Sequence, residues 1–169
     1  MDAVEYFMRQ WAGERPELDV TPMATVGRLS RMAVLVQARL DAVFAEHDLQ
    51  SWEFDVLASL RRSGEPYSLT AGELDRTMMI TSGTTTHRIT RLEARGFVER
   101  VRDQDDRRVV HVRLTEQGRR ACDAVHGAHL ENERAVLALM GDQDRAKLTE
   151  GLVALAKALG DAPPARPRR

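Results

Sequence analysis

The chain has 169 residues, a formal net charge of −1 and a single cysteine. One cysteine excludes an internal disulfide framework and fits a reducing compartment, and no apolar run approaches the ~20 residues that span a bilayer. Neutral overall, the chain is uneven in detail. Residues 80–114 hold eight Arg against five acids, a net of +3, while the rest holds 17 basic against 21 acidic residues. A locally positive segment on an acidic body suits phosphate contact without general stickiness.

In chain order, a first helix is predicted over about 4–12, with Tyr6, Phe7 and Trp11 as its larger apolar groups and Gly13 and Pro16 as its stop. The acidic start lacks the basic n-region of a secretion signal, so a soluble cytoplasmic protein is expected. A long helix follows over about 22–46. Leu29, Met32, Val36, Leu40, Val43 and Phe44 keep the helical period. Such a length either spans a dimer or ties the two ends of the fold together. These 50 residues form the N-terminal division.

The segment 51–114 reads as a compact reading head. Ser51 is the expected cap of a helix burying Phe54, Val56, Leu57 and Leu60 and ending near Gly64. After Pro66, Thr70 and Glu73 stand in capping-box spacing, which serves two otherwise unpaired amides at the start of a short helix. A turn leads to a third helix over 82–95, capped by Thr81 or Ser82 and stopped at Gly96. Two alternating strands are predicted over 97–102 and 109–114, joined by a loop in which acids close on paired arginines.

On a helical wheel of 82–95, Thr85, Ile89 and Leu92 face inward. Gly83, Thr84, His87, Thr90 and Arg91 face outward, with Ser82 and Thr86 at the margins. Small hydroxyl residues near a helix start let its backbone approach a duplex, where amides and hydroxyls bind phosphate. His87 and Arg91 are long enough to reach base edges, and arginine pairs well with guanine. In the loop, Asp103 and Asp106 can hold the turn while Arg107 and Arg108 point from its tip. Arg108 is the expected minor-groove arginine, and Arg107 serves phosphate or pairs within the loop. A groove-sized helix with a basic hairpin beside it makes this a mainly α fold with a small β-wing, a winged helix-turn-helix whose partner is double-stranded DNA.

Thr115 caps a long helix to about residue 140, and Asp142 opens a last one, in which Leu148, Leu152, Leu155 and Leu159 form a stripe suited to core or subunit interface. The division 115–160 is read as dimerisation helices, and the Pro- and Arg-rich tail 161–169 as disordered, with an accessory DNA contact as the alternative. Cys122, His126 and His129 share a face of the long helix and are zinc-type ligands. They diverge along its axis and lack a fourth partner, so no metal or other cofactor is expected. A buried, inert Cys122 is favoured over a redox switch. No nucleophile elbow, phosphate-binding glycine loop or HExxH pattern is present, so an enzyme is not expected.

Three stretches carry a resemblance to the MarR family of transcriptional regulators: LRRSGEPYSLTAGEL at 60–74, ITSGTTTHRITRLEARGFVER at 80–100, and DQDDRR with VRLTEQG behind it. Asp103-Gln104 replaces the family's usual Asp-Pro. The resemblance implies a homodimer built from N- and C-terminal helices that binds a pseudopalindrome, with half-sites about one helical turn (~34 Å) apart. An extra N-terminal helix bearing a tryptophan is similar to the urate-responsive, PecS-type subgroup. That subgroup's ligand pattern maps onto Trp11, Asp55, Arg88 and Arg100. It implies release from DNA by a small anionic aromatic or purine effector, with Trp11 as a flat apolar surface, Arg88 as a fixed cation and Asp55 balanced by Arg100. The alternatives are a metal- or oxidant-sensing regulator of the same type, and a winged-helix protein-interaction module without effector.

Overall fold

The computed structural model describes residues 1–78 and 85–163, and the chain divides into two compact units, Met1–Ala42 and Val43–Arg169. The first unit contains α1 (Ala3–Glu14) and most of α2 (Met23–Glu46). Asp2 caps α1 by accepting the Glu5 amide at 2.9 Å, and also pairs with Arg28 at 2.7 Å. Val4 is buried, its Cγ1 lying 3.2 Å from where a Cβ on Gly27 would stand. Little else in this unit is covered: Tyr6, Phe7, Trp11, Val26, Leu29, Met32, Val34, Leu35 and Val36 are all exposed. Exposed apolar side chains on a 24-residue helix are a liability unless another surface covers them.

The second unit contains α3 (Ser51–Arg62), β1 (Ser68–Thr70), α4 (Ala71–Thr77), α5 (Thr85–Ala94), β2 (Val98–Arg102), β3 (Val110–Leu114), α6 (Glu116–Leu137) and α7 (Asp142–Ala158). Its core gathers Val56, Leu57 and Leu60 of α3, Leu69, Leu74, Ile89 and Leu92, Val98, Val112 and Leu114 of the sheet, and Cys122 and Val125 of α6. The sheet is antiparallel with order β1-β3-β2, and Leu69 and Arg100 both lie opposite Val112. Val112 and Leu114 are buried, whereas Val110 on the same face is 40% exposed, because the hairpin runs out beyond the helices there.

Several boundaries differ from the sequence reading. Ser51 is the first helical residue and not the cap; Gln50 takes that position, its amide donating to Glu53 at 2.9 Å. The strands begin one residue later than expected, at Val98 and Val110. The third strand was not expected at all, since Ser68–Thr70 is too short for an alternation signal and exists only because β3 offers a free edge. The leucine stripe of α7 is not core in this chain: α7 buries no residue, and Leu148, Leu152 and Leu159 are exposed. Among the described residues, no helix is long and apolar enough to cross a membrane.

Candidate nucleic-acid interface and effector residues

The reading head is assembled by local capping. Thr70 and Glu73 form a full capping box, the Thr70 amide donating to Glu73 at 2.8 Å and the Glu73 amide to Thr70 Oγ1 at 3.3 Å, and so fix where α4 begins. Thr85 at the start of α5 donates its hydroxyl to Asp75 of α4, tying the two helices. α5 ends at Gly96, whose φ of +73° is left-handed backbone that glycine adopts without cost. Gly96 N–H donates back to Glu93 O and Phe97 N–H to Leu92 O, and the chain turns directly into β2.

α5 is amphipathic. Thr85, Ile89 and Leu92 are buried, while Thr86, His87, Thr90 and Arg91 are exposed. The outward set is polar, short near the helix start, and ends in a cation. Ser82, Gly83 and Thr84 of the expected DNA face lie outside the described residues, as do both candidate caps of this helix.

The wing is held by its acids. Asp103 Oδ1 accepts the amides of Asp105 at 2.8 Å and Asp106 at 2.9 Å, and its other oxygen meets His111 Nε2 at 3.0 Å. The two backbone donors, with His111 beside them, hold the Asp103 carboxyl below its ordinary value, so it stays ionised and acceptor-only. Asp106 in turn accepts the Arg108 amide at 3.0 Å and its guanidinium at 3.3 Å. Arg107 and Arg108 are exposed, the Arg108 side chain to 93%. A turn tied by two carboxylates thus presents two arginines to solvent.

The four residues of the expected effector pattern are distributed differently. Trp11 stands on α1 of the N-terminal unit and is 50% exposed. Asp55 and Arg88 are both buried, each 8% exposed, the first on α3 and the second on α5. Arg88 Nη1 lies 3.8 Å from the Met78 sulfur, and its guanidinium sits over the Trp52 ring at 5.7 Å. Arg100 lies on β2, at the start of the wing. Its guanidinium pairs with Glu93 and donates to Thr90 Oγ1 at 2.9 Å. The reason is topological: β2 is an edge strand beside α5, so an arginine midway along it reaches sideways to the outer flank of that helix. This contact joins Arg100 to Thr90 of the exposed face of α5.

Two groups that matter here carried no distinct sequence signal. Trp52 lies beneath both Arg88 and Arg91, the latter at 4.9 Å from its ring centroid. Arg95 binds the buried Glu53 carboxylate through Nη1 at 3.0 and 2.9 Å. The spacing of Trp52 from Asp55, and of Arg88 from Arg91, could have hinted at the first, since residues three apart share a helix face.

On α6, Cys122 is buried, and burial, the largest cause, pushes its thiol up to about 11. His129 stacks on Phe44 at 5.2 Å and pairs with Glu133 at 3.1 Å, while His126 is exposed. Among the described residues, no three His, Cys, Asp or Glu side chains converge as metal ligands would.

Residues 49–110 match the model of the MarR family. The chain is 39% identical over 145 residues to the HTH-type transcriptional regulator PecS of Dickeya dadantii (strain 3937), covering 86% of this chain and 87% of that one. Its fold matches a mutant MarR from E. coli complexed with operator DNA, at a TM-score of 0.68 and 25% identity over 82% of this chain and 99% of that one. A similar match, TM-score 0.67 and 25% identity over 83% and 96% of the two chains, is to Bordetella bronchiseptica BpsR, a structure concerned with regulation of its DNA binding by 6-hydroxynicotinic acid.

Proposed function

The chain belongs to the MarR family of non-enzymatic, DNA-binding transcriptional regulators, and from that premise we propose that it is a repressor released from its operator by a small aromatic anion. It acts as a homodimer. Each α5 enters a major groove of a pseudopalindromic site, with Thr86, His87, Thr90 and Arg91 outward, and each wing sets Arg108 at the neighbouring minor groove with Arg107 near phosphate. Ser82, Gly83 and Thr84 complete the face. The apolar side chains left exposed on α2 and α7 are the surfaces a second copy would cover.

The observation that carries the effector half is the burial of Arg88 inside the reading helix. Arg88 is 8% exposed, and an arginine held in a buried position is a natural receptor for an anion. Asp55, Arg100 and Trp11 are the other members of the proposed set. Arg100 contributes from the flank, where it already contacts Thr90 of the DNA face. A purine anion of the urate type suits a guanidinium fork and an indole surface, and the regulation of BpsR by 6-hydroxynicotinic acid supports an aromatic anion as the class. A coupling of ~1–3 kcal/mol between effector and operator is enough for release at moderate ligand levels.

The test is binding of the gene's own upstream DNA with and without urate, paired with calorimetry of urate on wild type and Arg88→Ala. Expected are specific DNA binding weakened by urate, and urate binding lost in the variant. Absence of heat with the wild-type protein removes urate as the effector; failure to retain any upstream duplex at low salt removes the regulator reading.

A further inference from the structure

Trp52 and Asp55 stand three residues apart on α3, and Arg88 and Arg91 stand three apart on α5, so each pair shares one face of its helix. The Trp52 indole receives both arginines. The Arg91 guanidinium lies 4.9 Å from the ring centroid and that of Arg88 lies 5.7 Å away. One of these cations is buried and the other is exposed on the outward face of α5. The indole N–H donates to the Gln50 side chain, which orients the ring plane.

A single indole within cation–π range of two guanidiniums makes their positions interdependent. Each is attracted by the ring's electron-rich face, each repels the other, and a shift of one changes the energy of the other's place on the ring. We propose that Trp52 is the positioning residue that links the buried and outward arginines of α5. With the anion site empty, it holds Arg91 in the pose that meets DNA; when an anion draws Arg88 toward itself, the ring and Arg91 resettle and the operator contact weakens. The second half rests on the reading of Arg88 as the effector's cation. The first half concerns DNA binding alone.

The experiment measures affinity for a labelled duplex of the gene's upstream region by fluorescence anisotropy, using full-length protein. Trp52→Leu is expected to weaken binding about three- to tenfold, the range of one cation–π contact. Trp52→Phe, which keeps an aromatic face, should recover most of that loss. Arg88→Ala and Arg91→Ala should be non-additive by a factor of about three in the wild-type background, and distinctly closer to additive in the Trp52→Leu background, where only their direct repulsion remains. With urate as probe, Trp52→Leu should still bind the ligand by calorimetry but show a smaller loss of DNA affinity on binding it. Equal non-additivity in both backgrounds, or Trp52→Phe as weak as Trp52→Leu, overturns the proposal. If wild type binds no urate, the effector reading fails by itself, and the mutant cycles, which contain no ligand, still decide the role of Trp52. Circular dichroism and the measured mass of each variant separate misfolding from lost positioning.

Discussion

Arg95, at the C-terminal end of the reading helix, donates two hydrogen bonds to Glu53, whose side chain is 2% exposed near the start of α3. The same guanidinium donates to the Asp48 carbonyl and carboxylate, both at 2.7 Å, and lies 4.7 Å from the Phe97 ring centroid. One arginine therefore sets the angle between α5, α3 and the first strand of the wing. Arg95→Ala leaves the Glu53 carboxylate buried and short of its main partner. It should cost about 3 kcal/mol, the lower end for breaking a buried pair because Arg95 keeps some solvent contact. Arg95→Lys should recover only part, since an ammonium cannot form the fork. Urea unfolding at one fixed protein concentration measures both.

Gly118 explains the glycine that closes the VRLTEQG stretch. A Cβ there would overlap the Phe97 carbonyl oxygen, which also accepts the Thr115 amide at 3.1 Å. The first turn of α6 is pressed against the backbone of Phe97, in the turn between α5 and β2, and backbone cannot yield as a side-chain tip would. Gly118→Ala should destabilise the fold by about 1–3 kcal/mol although alanine favours helix. A higher melting temperature in the variant would contradict this packing.

Arg108 tests the wing. If its guanidinium leaves Asp106 for DNA, Arg108→Ala should weaken binding uniformly and lower the slope of log affinity against log salt by about one. Anisotropy titrations across a salt series read this directly. An unchanged slope would mean that Arg108 stays with Asp106 in the complex.

The wing turn should also be acid-resistant. Backbone amides of Asp106 and Asp105, and then His111, lower the Asp103 pKa, so ionised Asp103 favours the ordered turn at every pH above the ordinary carboxylate range. That contribution is lost only as pH falls through the lowered folded value, beneath an ordinary 3.8. Amide shifts of Asp105 and Asp106 should therefore stay constant from pH 7 to about 5 and move only in stronger acid. Asp103→Ala should show the loosened turn at neutral pH.

Cys122 should be chemically quiet. With its thiol raised to about 11, the thiolate is scarce at neutral pH, and burial limits access. Native protein should resist iodoacetamide near pH 7.5 and react once unfolded, and DNA affinity should not respond to moderate peroxide. Rapid alkylation of the native form would restore the redox reading.

The helices and the wing hairpin were legible because their signals are local. The Thr70–Glu73 box, the Gly96 stop, the inward set Thr85, Ile89 and Leu92, and Asp103 with Asp106 around the wing turn all act within a few residues. Gln50 was overlooked as a cap because Ser51 carries the stronger intrinsic preference, whereas the bond to Glu53 selects the residue before it. β1 was missed because three residues cannot state an alternation, and its pairing depends on a strand more than 40 positions away.

What the sequence determined by itself is the winged helix-turn-helix and its outward polar face, since capping, periodicity and turn chemistry are properties of neighbouring residues. Only the tertiary structure decided that Arg100 turns to Glu93 and Thr90, that Arg95 clamps Glu53, and that Trp52 lies beneath two arginines. A charged side chain's partner is chosen by which elements pack side by side, and a long arginine can satisfy its charge in several directions that spacing along the chain does not distinguish.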